Sequence, residues 1–286
     1  MIERIAIFGT GLLGASVGLA LRAAGFQGSI AGWNRSADQA QLALSMGALD
    51  SVADDPVAAA RASQVVLLAV PIFATLEWME KLAGELGPQH LVTDVGSTKR
   101  LIAETASRLY NTPERAAFLP GHPMAGKERG GASLADANLF RGAVWLFTDD
   151  PQARRSARGA ELANGWRQWV AAMGSRILDL DPGRHDELVA WVSHLPQFTA
   201  TALSALLEEE VGEAPELKDV GGRALREMTR LGASPYSMWR DIAHTNTEAV
   251  ERALAKLEQR IAHLRENLRT PELREEFEQA NKFRRE

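Results

Sequence analysis

The sequence predicts an α/β protein: an N-terminal doubly wound, mostly parallel sheet followed by an all-helical C-terminal domain. Three observations carry this expectation. From residue 1 to about 180, short β-branched apolar runs alternate with alanine- and leucine-rich helical stretches. Some runs, Val65-Val66-Leu67-Leu68-Ala69-Val70 above all, are apolar throughout, as parallel strands covered on both faces must be. After Asp181-Pro182-Gly183 the strand-like runs stop and helical spacing takes over.

Taken in order, the runs at 4–8, 29–33, 65–70, 91–95, 117–119, 143–147 and 176–180 are read as strands. In the C-terminal part, Leu188, Trp191, Val192, Leu195 and Phe198 repeat at the spacing of one helix face over 184–209, with Pro196 expected to kink that helix. Ser234-Pro235 offers an N-cap and a first-turn proline for a helix running through Trp239 and Ile242. Leu254, Leu257, Ile261 and Leu264 form an amphipathic stripe in 248–268, and the tail beyond Pro271 reads as a charged helix. The expected division is a dinucleotide-binding domain at 1–180 and a helical substrate-binding and dimerisation domain at 181–286.

Composition narrows the function. At 286 residues the chain is long enough for two ordinary domains. With 32 basic and 37 acidic residues the net charge is −5, the wrong sign for a sequence-independent nucleic-acid binder. The absence of cysteine excludes a disulfide framework, a thiol nucleophile and thiolate metal sites. No stretch reaches the roughly 20 apolar residues that span a bilayer, and the N-terminus lacks a signal-type apolar region. A cytoplasmic protein with no membrane partner is expected.

Gly9-Thr10-Gly11-Leu12-Leu13-Gly14 is a G-x-G-x-x-G directly after the first strand and at the start of an alanine-rich helix. In that position the glycines suit a tight turn, close approach of a pyrophosphate, and close helix–strand packing, the signature of a Rossmann-type domain. Gly9, Gly11, Leu12, Leu13 and Gly14 are therefore expected at a dinucleotide, with Val70 and Pro71 from the end of the third run. At the end of the second strand, Asn34-Arg35-Ser36 replaces the acid that usually meets the ribose hydroxyls of NAD. Hydrogen-bond donors and a positive charge there favour NADP, with NAD and a solvated Arg35 as the alternative.

Two further segments lie at strand ends where ligands of open α/β sheets bind: Asp94-Val95-Gly96-Ser97-Thr98-Lys99 and Gly121-His122-Pro123-Met124-Ala125-Gly126-Lys127-Glu128. A histidine held in a Gly/Pro-rich turn beside a nicotinamide suits removal of an alcohol proton as hydride leaves the same carbon.

The string Gly-His-Pro-Met-Ala-Gly-x-Glu after Val-Gly-Ser-x-Lys, on a chain with the glycine loop at residue 9, resembles the prephenate and arogenate dehydrogenases of tyrosine biosynthesis. The resemblance continues through His185-Asp186, Ser193-His194-Leu195-Pro196, Thr229-Arg230 and Met238-Trp239-Arg240-Asp241. It implies an NAD(P)-dependent oxidative decarboxylation of a cyclohexadienol, prephenate or arogenate, by a homodimer joined through the helical domain. It implies His122 as the residue that accepts the ring hydroxyl proton, Ser97 as its positioning partner, and Arg230 as the ligand of a substrate carboxylate. Glu128, Glu227, His185 and Trp239 sit where relatives line or gate the site; Trp239 is equally readable as core and Glu128 as a structural ion-pair partner. Gln197 stands where prephenate-preferring relatives often carry a second substrate-binding histidine, so both substrates are allowed. Lys127 replaces a small hydroxyl residue and is free to pair with Glu128 or Glu227.

His194, nine residues beyond His185, is expected on the opposite helix face and is read as structural. His90, His244 and His263 lack metal-ligand spacing, and no metal is expected. The length leaves no room for a fused chorismate mutase or a C-terminal regulatory domain, so tyrosine feedback would act at the active site. The alternatives are a 3-hydroxyacid-type dehydrogenase of similar build, disfavoured because 183–209 contains no lysine, and a non-catalytic dinucleotide sensor, disfavoured by Ser97, His122 and Arg230 occurring together.

Overall fold

The computed structural model describes residues 1–285, so Glu286, the last residue of the expected helical domain, lies outside the described residues. Six strands, β1 (Arg4–Phe8), β2 (Ser29–Trp33), β3 (Ser51–Val52), β4 (Val65–Leu68), β5 (Leu91–Asp94) and β6 (Ala117–Leu119), form one parallel sheet in the order β3-β2-β1-β4-β5-β6. Period-two alternation explains why the central strands are apolar throughout. Ile5, Ile7, Val65 and Leu67 enter a core with Leu21, Leu162 and Trp166. Ala6, Phe8, Val66 and Leu68 enter a second core on the opposite face with Met79, Leu82 and Ile102.

The strand order reverses between β1 and β4, the switch point at which such sheets bind ligands. The chain turns there at Gly9, whose φ is +89° and whose missing Cβ would lie 2.2 Å from the Ala69 carbonyl oxygen and 2.8 Å from Val70 Cγ1. A Cβ on Gly14 would lie 2.0 Å from the Gly9 carbonyl oxygen, so glycine lets the helix Leu12–Ala23 start against the strand it follows.

The last two expected strands belong to a separate three-stranded sheet: β7 (Gly121–Pro123), antiparallel to β8 (Val144–Phe147), which is parallel to β9 (Arg176–Asp179). Neither β3 nor β7 is legible in the sequence. The first has two residues, and the second is a Gly-His-Pro string that reads as a turn. Pro123 is tolerated because β7 is an edge strand. His122 thus sits on a strand, paired with Leu146, rather than in the expected turn.

Beyond β9 the described chain is helical. The expected helix over 184–209 is three pieces: Pro182–Val189, a π-helical segment Ala190–His194, and Leu195–Val211. The π-helical segment precedes Pro196, which occupies the first turn of the third piece, where its missing N–H costs little. Shorter helices Leu217–Val220 and Arg223–Thr229 lead through the 3₁₀ turn Arg230–Ala233 to Tyr236–Thr245, Thr247–Glu266 and Glu272–Arg285. In the Thr247–Glu266 helix, Leu254, Leu257 and Leu264 are half-buried and Ile261 is exposed. Among the described residues no helix is long and apolar enough to cross a membrane.

The two glycines predict opposite responses. Gly14→Ala must displace main chain and is expected to cost about 1–3 kcal/mol of stability, whereas a Cβ on Gly11 meets nothing within 4 Å and Gly11→Ala should stay within about 0.5 kcal/mol of the parent. Urea unfolding of the two variants checks this; equal losses would contradict the packing assigned to Gly14.

Candidate active site

At the switch point, Gly11 is the N-cap of the helix Leu12–Ala23 and no side chain caps the first-turn N–H groups. These free donors, the helix dipole and the open space over Gly11 suit an anionic pyrophosphate. Leu12 is buried beneath the turn and Leu13 is half-buried. Val70 packs against Gly9, and Pro71 is the exposed N-cap of the helix Ile72–Ala83. Across the β2 end, Asn34 Nδ2 donates to Thr10 Oγ1 (3.2 Å) and its Oδ1 accepts from the Ser36 main chain (3.1 Å), so the amide holds the turn. Arg35 and Ser36 are exposed beside it, and among the described residues Arg35 enters no ion pair.

A second cluster lies at the ends of β5 and β7. Asp94, the last residue of β5, is fully buried. Its carboxylate accepts from the main-chain N–H of Gly96 (2.7 Å) and of Gly121 (3.1 Å) and is ion-paired with the equally buried Lys99. The Gly121 bond seats β7, and with it His122, against the end of the main sheet. Gly121 has no room for a side chain: a Cβ would lie 2.8 Å from Trp145 Nε1 and 2.9 Å from the Asp94 carbonyl oxygen. Ser97 is half-buried on the loop between Asp94 and Lys99.

The helical part meets this cluster through Asp186. Asp186 Oδ1 accepts from the Lys99 N–H (2.7 Å) and Oδ2 from the Arg100 N–H (2.9 Å) at the start of the helix Arg100–Leu109. The adjacent His185, completely buried, has Nδ1 2.8 Å from Asp186 Oδ1 and Nε2 2.9 Å from His122 Nδ1. Thr98 Oγ1 meets Thr245 Oγ1 at 2.7 Å, a further tie between the two parts. Burial pulls the His122 pKa well below its ordinary 6.5, helped by the adjacent His185 and the Lys99 charge. Burial lowers that of His185 as well, although Asp186 opposes it. Burial also draws the Lys99 ammonium down, against the opposing pull of Asp94.

A buried neutral imidazole fixed at one ring nitrogen, at the carboxyl end of a nucleotide-binding sheet, is an arrangement for taking a proton. The model for the prephenate dehydrogenase nucleotide-binding domain matches residues 17–172, and the model for the prephenate dehydrogenase dimerization domain matches residues 181–282. The chain belongs to the prephenate dehydrogenase family. It is similar to the prephenate dehydrogenase of Lactococcus lactis, 32% identical over 93% of this chain and 70% of that protein. The structure of A. aeolicus prephenate dehydrogenase in complex with hydroxyphenyl propionate and NAD+ superposes with a TM-score of 0.84 at 27% identity, covering 100% of this chain and 96% of that one. Synechocystis arogenate dehydrogenase follows at 0.76 and 28%, covering 98% of each chain. Membership makes the chain an NAD(P)-dependent oxidoreductase.

The remaining predicted residues fall into two groups. Arg230, in the 3₁₀ turn Arg230–Ala233, is ion-paired with Glu128 on the loop after β7, so this pair closes the helical part over the His122 segment. Trp239 packs its ring against His194 (centroids 5.9 Å apart) and Phe198 (5.8 Å), with a buried Nε1–H that has no partner among the described residues. The other positions are bonded within the chain. Gln197 offers no free amide: Nε2 donates to the Leu231 carbonyl (2.7 Å) and Thr201 Oγ1 (3.2 Å), and Oε1 accepts from Ser234 (3.0 Å). It anchors the Arg230 turn instead. Glu227 pairs with Arg223 on its own exposed helix face (2.6 Å), and Lys127 donates to the Leu134 carbonyl (2.7 Å), so Lys127 is bonded to neither Glu128 nor Glu227.

Sequence reasoning also missed residues. His194 is buried beside Trp239, and Asn246 Nδ2, which donates to the Asp186 carbonyl (2.8 Å), lies 3.3 Å from its Nδ1. The wider π turn advances less per residue than an α turn, so a nine-residue separation no longer puts His194 opposite His185. Asp94, Lys99 and Asp186 stood inside the quoted motifs without a role. The usable signal was an acid ending an apolar strand with a lysine five residues on, since buried charges come in pairs.

His122, His185 and His194 are all held neutral by burial, His194 with its pKa lowered to about 4. The unfolded chain takes up these protons near pH 6.5 while the folded chain does not. Stability is therefore complete above pH 6.5 and falls as pH drops below it, by up to about 1.4 kcal/mol per pH unit for each histidine. Urea midpoints between pH 7 and 5 should show this slope, and His194→Asn should make it shallower; a flat profile would contradict the assigned protonation.

Proposed function

We propose that the chain is an NADP-preferring dehydrogenase of prephenate and arogenate, working in the cytoplasm as a homodimer, with a dinucleotide domain at 1–180 and a substrate and dimer domain at 181–286. The observation that carries the reading is His122 Nδ1 bound to His185, which leaves Nε2 as the one ring nitrogen free to take a proton. The NADP preference rests on the exposed Arg35 and Ser36 and on the absence of an acid at position 34. The exposed Ile261, Trp191 and Val192 of the helical part support association through that part.

Gly9, Gly11 and Gly14 would hold the pyrophosphate of the dinucleotide, whose nicotinamide would supply the acceptor for the hydride leaving C4 of the cyclohexadienol. His122 Nε2 takes the C4 hydroxyl proton, so that the oxygen's electron pair forms the carbonyl as hydride leaves. The ring carboxylate departs as carbon dioxide, its bonding pair enters the ring, and the oxygen regains a proton as the ring becomes aromatic. Ser97, between Asp94 and Lys99, orients the hydroxyl against His122. Because aromatisation drives the reaction, the chain's task is orientation and deprotonation.

Arg230 binds a substrate carboxylate in place of Glu128. Both partners of that pair reach solvent, with side chains 59% and 35% exposed. Such a pair is worth only about 0–1 kcal/mol, so a bidentate substrate carboxylate can replace it at little cost. Trp239, whose buried Nε1–H has no partner among the described residues, is a further donor for the substrate.

Initial rates for prephenate and arogenate, each with NAD and NADP, test the reading. Turnover with higher kcat/KM for NADP is expected, and His122→Asn should lower kcat about a hundredfold or more with a modest change in KM. No nicotinamide reduction with either substrate, or near-normal turnover by the variant, would overturn it. Arg230→Gln should act differently, raising KM for substrate about tenfold or more while kcat changes less; an unchanged KM would reassign the guanidinium to structure.

A further inference from the structure

We propose that Asp186 and His185 are positioning residues that hold His122 in one tautomer, Nδ1 protonated and Nε2 bare, by a one-way hydrogen-bond relay. The inference rests on the reading of His122 as the proton acceptor. It begins from two groups whose direction is not adjustable. The main-chain N–H groups of Lys99 and Arg100 can only donate, and they reach Asp186 Oδ1 at 2.7 Å and Oδ2 at 2.9 Å, so both carboxylate oxygens are acceptors. His185 Nδ1, 2.8 Å from Oδ1, must then be the donor. A neutral imidazole has one N–H, so His185 Nε2 is an acceptor. His122 Nδ1, 2.9 Å away, must donate to it, which leaves the His122 lone pair on Nε2.

The opposite arrangement would put a proton on His122 Nε2 and remove the base. No competing contact offers that tautomer a gain, because His122, His185 and Asp186 are all buried and water cannot substitute for a lost partner. When Nε2 takes the substrate proton, the Nδ1 proton stays where it is and still donates to His185. The relay therefore transfers no proton along its length; it orients the ring before reaction and stabilises the imidazolium after it. The anchor is stiff because Asp186 is tied to the start of the helix Arg100–Leu109, and Asn246 Nδ2 donates to the Asp186 carbonyl at 2.8 Å.

Full-length protein labelled with ¹⁵N-histidine reads the tautomer directly by long-range ¹H–¹⁵N correlation, with His122 assigned by the signal lost in His122→Asn. Expected is a His122 ring protonated at Nδ1 and bare at Nε2; the reverse tautomer or an averaged ring overturns the relay. In Asp186→Asn the amide nitrogen faces one of the two main-chain N–H donors in either orientation, so the anchor is weakened and neither direction of the relay is fixed. This variant should show a His122 ring averaged between its two tautomers, a kcat lower by about 10-fold or more, and KM values within about threefold of the parent. If it fails to fold, His185→Gln, which leaves Asp186 on its two main-chain donors, should give a mixed tautomer and a smaller loss of kcat. Adding either substitution to His122→Asn should produce no further loss of kcat, whereas an equal further loss means that Asp186 acts otherwise than through His122 and overturns the relay. Near-normal turnover of His122→Asn itself, with the expected tautomer in the parent, would overturn the base assignment while leaving the relay's direction intact.

Discussion

The carboxylate of Asp186 is the point on which both parts of the molecule close. It comes from the first helix after the nucleotide-binding part, yet its two oxygens are held by main-chain N–H groups of Lys99 and Arg100 at the start of the helix that follows β5. A buried carboxylate is tolerable only with its acceptor positions filled, so the contact is specific in angle as well as in place. Through it the helical part takes up one orientation against the sheet, and His185 arrives beside His122. The same strand end carries Asp94, which holds Lys99 with one oxygen and the start of β7 with the other.

Burial has a chemical consequence here beyond stability. Three histidines packed in one buried junction, with a lysine among them, disfavour every added positive charge, and the imidazoles stay neutral. A neutral imidazole is what a proton acceptor must be. The arrangement also explains the two buried anions, Asp94 and Asp186, which compensate the lysine and direct the first histidine without touching the second. Truncating one member of such a set leaves an uncompensated charge, which makes it costly to vary.

The two ends of the site are built differently for a physical reason. The proposed dinucleotide end is main chain and exposed side chains, Arg35 and Ser36 beside an open glycine turn, so residues there can change without disturbing the core. At the proposed substrate end the contact is a half-exposed ion pair, Arg230 with Glu128, weak enough to be exchanged for a ligand. Between them lie β5, β7 and the His185-Asp186 segment of the helix Pro182–Val189, where His185, Asp186, Asp94 and Lys99 are buried. Gln197 belongs with these, since its amide is spent on holding the Arg230 turn.

Much of the fold was legible in the residues. Continuous apolar runs determined parallel strands, because only a strand covered on both faces can be apolar at every position, and the glycine spacing after the first run determined where a phosphate can approach. His122 stood out because its motif is local. Tertiary structure alone decided that this histidine lies on an edge strand of a second sheet, that a π turn swings His194 toward His185, and that Lys127, Glu227 and Gln197 turn elsewhere. The junction itself depends on donors and acceptors that meet across 60 or more residues of chain, as Lys99 meets Asp186 and His122 meets His185. Periodicity and spacing report what a segment does with its own neighbours; the direction of a proton along a buried relay is set by groups that only folding brings together.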